Sequence, residues 1–158
     1  MMRGDPGVGK SETAMGLIKR GNALVADDFT CLRKDVANNI LYASAGGSTR
    51  NYMEIRGIGI LHVPSIFGVT AVRAEKQLDL LVTFRRMEDV NGELDRVGDD
   101  WVTTEILGVP VPEIIIPVSV GRDLVNLVEI AAQQFKLRSA GYDPVAALDE
   151  QLKRRALS

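Results

Sequence analysis

Apolar residues fall in short runs along most of the chain, and polar or glycine-containing stretches separate these runs. Short apolar runs bounded by turn residues are typical of buried strands. The pattern predicts strands at 23–26, 30–34, 40–43, 78–84, 101–107 and 114–118. An Asn38-Asn39 turn joins 30–34 to 40–43 in a hairpin. The prolines between 109 and 113 favour extended backbone, and Pro117 indicates an edge strand or the end of a strand.

Three other stretches repeat their apolar residues every three or four positions, which is the period of a helix. They cover 10–19, 124–138 and 146–156. Gly21 is placed to end the first helix, Asp123 to cap the second, and Asp143-Pro144 to begin the third. Strands and helices together indicate an α/β fold with a mixed sheet and flanking helices, in one domain spanning 1–158.

Composition narrows the class of protein. The chain has 158 residues, of which 46% are hydrophobic and 25% charged, as in a soluble globular domain. A net charge of −2 gives no reason to expect a nucleic-acid partner. No apolar run approaches the roughly 20 residues of a membrane span, so we expect a cytoplasmic protein without a membrane partner. The single cysteine, Cys31, excludes an internal disulfide and is interpreted as a small buried hydrophobe.

The strongest chemical signal is the segment GDPGVGKS, which has the spacing of a phosphate-binding loop. Its glycines let the backbone curl so that several N–H groups point at one anion. The lysine adds a positive charge for the phosphates, and the serine adds a hydroxyl for Mg²⁺. The predicted nucleotide- or phosphate-binding residues are therefore Gly4, Asp5, Pro6, Gly7, Val8, Gly9, Lys10 and Ser11. Only Met1-Met2-Arg3 precedes this loop, which we interpret as too short for the strand that normally carries it.

Two segments with acidic residues, Asp27-Asp28 and the one containing Glu54, are candidates to lie beside the loop. Asp27-Asp28 follows the apolar run 23–26, and ligands in open α/β sheets sit beyond the carboxyl ends of strands. A role in the site is favoured over a simple turn. Glu54 and Arg56 share one face if their segment is extended. Glu54 is then a metal ligand and Arg56 a phosphate contact, or the two form an ordinary exposed ion pair.

Two further charged or titratable residues have competing interpretations. His62 is the only histidine and lies among apolar residues, which favours a structural role over a catalytic one. Arg96 lies in the polar stretch 85–98, which is interpreted as a surface loop. It is either a lid residue that reaches phosphate or a solvated charge.

Several stretches together resemble the catalytic domain of the bacterial HPr kinase/phosphorylase family. They are GDPGVGKSETA at 4–14, RGNALVADD at 20–28, MEIRGIGI at 53–60, LDRVG at 94–98 and VPVPEIIIPVSVGRDL at 109–124. The Glu-Ile-Arg-Gly-Ile-Gly stretch is that family's own signature. The resemblance implies a phosphate-loop fold similar to phosphoenolpyruvate carboxykinase, here with the first strand apparently missing and the family's N-terminal domain absent. It also implies a homo-hexamer.

The resemblance implies an enzyme that phosphorylates a serine of the carrier protein HPr, using ATP or pyrophosphate and Mg²⁺. In the reverse reaction inorganic phosphate attacks the phosphoserine and releases pyrophosphate. Both reactions regulate carbohydrate metabolism through the sugar phosphotransferase system. The last helix lies where the family contacts its protein substrate from a neighbouring subunit.

The resemblance also implies residue roles. Asp27 is the acid/base and Arg96 the loop arginine that closes on phosphate. Ser11 and Glu54 lie near the metal. Asp28 and Arg56 support the site. The family also has a histidine on the strand before the loop, at a position that this sequence does not include, and His62 belongs to another matched segment.

Two alternatives to this interpretation stay open. One is another phosphate-loop kinase that acts on a small metabolite, for which a nucleobase or sugar pocket would be the mark. The other is an inactive nucleotide-binding regulatory module. Pro6 departs from the family pattern, in which serine or threonine is common at this position, and it removes one possible N–H donor from the loop.

Overall fold

The computed structural model describes residues 1–90 and 101–156, and within them nine strands and four α-helices. The strands are β1 Met2–Gly4, β2 Thr30–Asp35, β3 Ile40–Ala45, β4 Tyr52–Ile55, β5 Gly59–His62, β6 Glu75–Gln77, β7 Leu81–Arg86, β8 Val102–Ile106 and β9 Val109–Val118. The helices are α1 Lys10–Lys19, α2 Val63–Phe67, α3 Leu124–Ser139 and α4 Pro144–Ala156. In these residues no helix is long and apolar enough to cross a membrane.

A four-stranded mixed sheet in the order β1-β7-β9-β8 organises the fold. β1, β7 and β9 run parallel, and β8 pairs antiparallel with β9. Smaller antiparallel units stand beside it, β2-β3-β6 and the hairpin β4-β5. The mixed sheet with flanking helices agrees with the α/β class expected from the sequence.

Apolar side chains cover both faces of the four-stranded sheet. Val82, Phe84 and Ile116 pack with Val128 of α3 on one face. Leu81 and Val111 pack with Leu41 of β3 on the other, since alternate residues of a strand point to opposite faces. A third cluster joins α1 to the β4-β5 hairpin and α2. The sheet is therefore enclosed between helices and the β2-β3-β6 unit.

The expectation that the first strand is missing is wrong. Met2, Arg3 and Gly4 pair in parallel with Val82, Thr83 and Phe84 of β7. Three residues are too few to show a period of two, so the strand is invisible in the sequence pattern. It forms because β7 offers unpaired backbone groups along its edge, and burying these without partners would be costly.

The strand expected at 23–26 is also absent. Leu24 makes only an isolated parallel bridge to Val72, through hydrogen bonds from its N–H to the Ala71 carbonyl and from the Arg73 N–H to its own carbonyl, both 2.8 Å. Its side chain is nevertheless buried, as the apolar pattern required. The neighbouring segment is irregular and therefore gives no continuous ladder.

Pro117 was expected at an edge or an end, and it is the next-to-last residue of β9, a ten-residue strand inside the sheet. The proline rule still holds locally. β9 pairs with β8 over 109–113 and with β7 over 113–118, so Pro117 has a strand neighbour on one side only. A missing N–H costs no ladder bond when it lies on the unpaired side.

Several other local expectations are confirmed, and one concerning Cys31 is not. The hairpin expected from 30–34 and 40–43 forms, with β2 and β3 paired antiparallel from Thr30 with Ala45 to Asp35 with Ile40. The Asp123 carboxylate caps α3 by accepting a hydrogen bond of 3.0 Å from the Asn126 N–H, and α4 begins at Pro144. Cys31, expected to be buried, is exposed on β2, because alternate positions of that strand face away from the core.

Candidate phosphate-binding site

The glycine-rich loop links β1 to α1, where a phosphate-binding loop is expected. Gly7 and Gly9 have φ of 82° and 95°, which a side chain would disfavour. At Gly4 a Cβ atom would lie 2.7 Å from the Phe84 carbonyl oxygen, so only glycine allows the strand to pass this close to β7. The loop's curl is therefore set by the glycines that the motif predicts.

Contacts within the loop hold its shape. The Lys10 ammonium donates to the carbonyl oxygens of Gly4 and Asp5, at 2.8 and 3.1 Å. The Thr13 hydroxyl donates to the Gly9 carbonyl at 2.7 Å, and the Val8 side chain is buried in the core. The loop thus has an apolar anchor and a lysine beside its glycines.

Asp27 meets the loop from a distant part of the chain. The Ser11 hydroxyl donates to Oδ1 of Asp27 at 3.2 Å, and the Glu54 backbone N–H donates to Oδ2 at 3.0 Å. The first turn of α1, the segment after Leu24 and strand β4 therefore converge on one carboxyl. The expectation that the acids after 23–26 face the loop holds for Asp27, while the neighbouring Asp28 is exposed.

The environment of Asp27 favours its protonated form. Burial raises the pKa of the Asp27 carboxyl above its ordinary 3.8, and the negative charges of Asp28 and Glu54 add to this rise. Hydrogen bonds from the Glu54 N–H and the Ser11 hydroxyl act in the opposite direction without cancelling it. A half-buried carboxyl with a raised pKa is a candidate for proton transfer.

Arg56 reaches the loop from the turn between β4 and β5. Its two terminal nitrogens lie 3.7 Å from the position that a Cβ would take on Gly7. Arg56 follows the end of β4 at Ile55, so it does not share an extended strand with Glu54 as the sequence pattern supposed. Gly57 and Gly59, with φ of 84° and 101°, form the bend that carries the guanidinium to the loop.

The donor set beside the loop suits Mg²⁺ better than a cation that needs many protein ligands. Ser11 and Asp27 offer a hydroxyl and a carboxylate oxygen side by side. In the described residues no group of three or more His, Cys, Asp or Glu side chains is placed to hold a metal ion. Mg²⁺ typically uses one or two carboxylates with waters and substrate phosphates, so these residues fit it. The metal-ligand role of Glu54 stays a prediction.

Of the remaining candidate site residues, His62 lies in the described part of the chain and Arg96 does not. The His62 ring hydrogen-bonds the Ser65 hydroxyl at 2.6 Å and lies 4.8 Å from the Tyr52 ring, contacts that suit the structural interpretation. Arg96 lies outside the described residues, and its predicted role stays a prediction.

The family model for the HPr serine kinase C-terminal domain matches residues 1–152. This chain belongs to that family. The family resemblance drawn from the loop, the Asp27-Asp28 pair and the Glu54–Gly59 stretch is thereby confirmed.

Curated and solved relatives from the HPr kinase family agree. The chain is 44% identical to HPr kinase/phosphorylase of Levilactobacillus brevis and 42% identical to that of Caldicellulosiruptor bescii, in each case over 98% of this chain and 49% of the relative. It thus spans about half the length of the curated relatives it matches. The structure of the Hpr(Ser) kinase/phosphatase from Coxiella burnetii superposes with a TM-score of 0.81 at 34% identity, covering 93% of this chain and 88% of that one.

The sequence patterns did not predict one ion pair close to the phosphate loop, between Arg3 and Glu113. Arg3, directly before Gly4, binds the buried carboxylate of Glu113 at 2.8 Å. The two residues are 110 positions apart, and neither belongs to the phosphate-loop motif. A charged residue inside the otherwise apolar run 109–118 was the available signal, because a buried carboxylate requires partners.

Proposed function

We propose that this chain is the catalytic domain of a protein serine kinase/phosphorylase acting on HPr. The forward reaction moves a phosphoryl group from ATP, or pyrophosphate, to a serine of HPr, and the reverse reaction uses inorganic phosphate to remove it as pyrophosphate. The observation that carries this proposal is the Asp27 carboxyl beside Ser11 at the end of the phosphate loop, at 3.2 Å. Family membership supplies the protein substrate.

In the forward direction Asp27 takes the proton of the substrate serine hydroxyl. The serine oxygen then bonds to the γ-phosphorus, and the bond from that phosphorus to the bridging oxygen of ADP breaks. In the reverse direction a phosphate oxygen attacks the phosphoserine phosphorus. The bond to the serine oxygen breaks, and that oxygen recovers a proton from Asp27. A raised pKa suits a carboxyl that must both accept and return a proton.

The other site residues bind and orient the phosphates. The N–H groups of the loop, Lys10 and the nearby Arg56 provide positive charge where the transferred group passes. Ser11 and Glu54 would hold Mg²⁺, with Asp27 and Asp28 close by. The ion, when bound, would neutralise phosphate charge. Arg96 is proposed to close on the transferred phosphate.

The proposed partners are HPr and further copies of this chain, in a hexamer. α4 supports a role in contacts between chains, because it has no buried residue and leaves Leu148 and Leu152 more than half exposed. Its last turn is basic, from Lys153 to Arg155, which suits an acidic partner surface. Through phosphorylation of HPr the enzyme would regulate carbohydrate metabolism.

The test is the transfer of radiolabelled phosphate from ATP to the serine of HPr by the parent chain and by Asp27→Asn. We expect the substitution to lower the transfer rate by about 10²- to 10⁴-fold, because it removes the proton acceptor. ATP affinity should stay close to that of the parent. Asp35→Asn, the same change at the last residue of β2, is the matched control and should transfer at the parent rate.

Transfer by Asp27→Asn at the parent rate would contradict the role given to Asp27. A parent chain that binds ATP but phosphorylates nothing would favour the regulatory-module alternative.

A largely apolar cavity of about 490 Å³ that includes Lys10, Asp27 and Asp28 in its lining favours a small-molecule kinase as the second candidate. Transfer from ATP to a small hydroxyl compound, with none to HPr, would support that candidate.

A further inference from the structure

Four polar side chains cross the four-stranded sheet on the face that points away from α3. The Glu113 cluster consists of Arg3 on β1, Thr83 on β7, Glu113 on β9 and Thr104 on β8. Oε1 of Glu113 accepts hydrogen bonds from the Arg3 guanidinium, at 2.8 Å, and from the Thr83 hydroxyl. Oε2 accepts one from the Thr104 hydroxyl, and a second Arg3 nitrogen donates to Thr83 at 2.8 Å. Each strand of the sheet thus contributes one member.

Glu113 is held in its charged form at the middle of this cluster. Its exposed fraction is only 3%, and an unpaired buried carboxylate would be strongly destabilising. Burial by itself raises the pKa of Glu113, but the hydrogen bonds from both threonines and from Arg3, with the charge of Arg3, lower it below the ordinary value. The carboxylate is therefore a fixed point that needs its partners in place.

Within the four-stranded sheet, β1 is the strand with the fewest backbone pairings. It has three residues and a single strand neighbour, β7, whereas β9 has a neighbour on each side. The phosphate loop begins at its last residue, Gly4, directly after Arg3. Arg3 lies opposite Thr83 in the ladder, so its guanidinium crosses β7 to reach Glu113. A displacement of Arg3 would move the start of the loop with it.

We propose that Glu113 is a positioning residue for the phosphate loop. It acts through Arg3 and keeps β1, and with it the segment from Gly4 to Ser11, in the geometry that binds phosphate. Glu113 itself touches no substrate. The effect on phosphate affinity rests on the proposed function, whereas the effect on the order of β1 does not.

Amide hydrogen exchange, read by mass spectrometry on the whole chain, tests the positioning directly. Arg3→Met and Glu113→Gln should each speed exchange in residues 2–11 on the order of tenfold, because β1 opens more often. The double variant should be no faster than the faster single variant, since both changes remove one connection. Thr104→Val removes a hydrogen bond from the same carboxylate without touching Arg3, and should affect β8 and β9 only.

Two results would overturn the proposal. One is parent-like exchange of residues 2–11 in both Arg3→Met and Glu113→Gln. The other is an equal acceleration there in Thr104→Val, because the cluster would then stabilise the sheet without any particular action on β1.

Phosphate affinity is the second readout, with ATP and inorganic phosphate as the probes. Arg3→Met and Glu113→Gln should weaken both affinities about tenfold, with Thr104→Val at the parent value. Lys10→Ala distinguishes a failure of the proposed phosphate binding by the loop from a failure of the proposed positioning by Glu113. If Lys10→Ala binds ATP like the parent, the proposed function of the loop is wrong, and the exchange data still decide the positioning. If only Lys10→Ala loses affinity, the proposed role of Glu113 in binding is wrong.

Discussion

Two acidic residues near the loop, Asp27 and Glu113, show how partners decide the behaviour of a buried carboxyl. Burial alone raises the pKa of each. Asp27 has other carboxylates nearby and no cation among its hydrogen-bond partners, so its pKa stays raised. Glu113 binds the Arg3 guanidinium and two hydroxyls, and its pKa falls. The first arrangement suits proton transfer and the second suits a fixed support.

Asp27→Asn should raise the thermal midpoint at pH 7 as it removes activity. A carboxyl with a raised folded pKa contributes stability when protonated and loses it as the pH rises through that pKa. At pH 7 the folded protein therefore bears the cost of a charged, half-buried Asp27, which asparagine removes. The difference in midpoint between variant and parent should shrink near pH 4, as scanning calorimetry at both pH values would show. A lower midpoint for Asp27→Asn at pH 7 would mean that its hydrogen bonds outweigh its charge.

At the scale of elements, α1 and α3 cross at Gly16, and this contact fixes the helix that follows the loop. A Cβ on Gly16 would overlap the Val125 side chain. A Cβ on Gly9 would lie 3.5 Å from a methyl group of Leu124. The N-terminal half of α3 therefore supports both the loop and α1.

Gly16→Ala should destabilise the fold by about 1–3 kcal/mol through overpacking against Val125. This is opposite in sign to the usual helical gain of about 1 kcal/mol when alanine replaces glycine. Gly16→Ala combined with Val125→Ala should recover much of the loss, because the second change makes room for the methyl group. Urea unfolding of the parent, both single variants and the double variant measures the coupling. Additive effects would show that the two helices do not meet tightly at this point.

At the scale of the whole molecule, the enclosed sheet contrasts with α4, which packs little of its surface against the described part of the chain. Its apolar positions stay exposed, Leu148 by 56% and Leu152 by 55%. Exposed apolar residues at helical spacing typically mark a surface for another chain. The proposed hexamer gives that surface an occupant.

Leu148→Ser combined with Leu152→Ser should lower the mass of the assembly in analytical ultracentrifugation, with the far-ultraviolet circular dichroism unchanged. The two leucines are more than half exposed in their own chain, so the loss should fall mainly on contacts between chains. Glu150→Ser, on the opposite face of α4, is the control and should assemble as the parent does. An unchanged mass for the leucine pair would remove α4 from the interface.

Local patterns by themselves determined the glycine-rich loop, the three longer helices with their caps, and the hairpin of β2 and β3. In each case neighbouring residues supply the period, the turn or the phosphate-binding spacing. The placement of Asp27 near the loop also followed from the sequence, through an apolar run that buries Leu24 even though it forms no strand.

Only the tertiary structure decided the three-residue strand β1, the inner position of β9 and the ion pair between Arg3 and Glu113. β1 forms because it can hydrogen-bond to the edge of β7. β9 tolerates its prolines because β8 pairs only with its first half and β7 only with its second half. These features depend on pairing between residues that are far apart in sequence. Residue propensity and hydrophobic periodicity indicate only which local structure a segment prefers. The free energy of a strand pairing or an ion pair depends also on the distant strand or side chain that the fold places next to it.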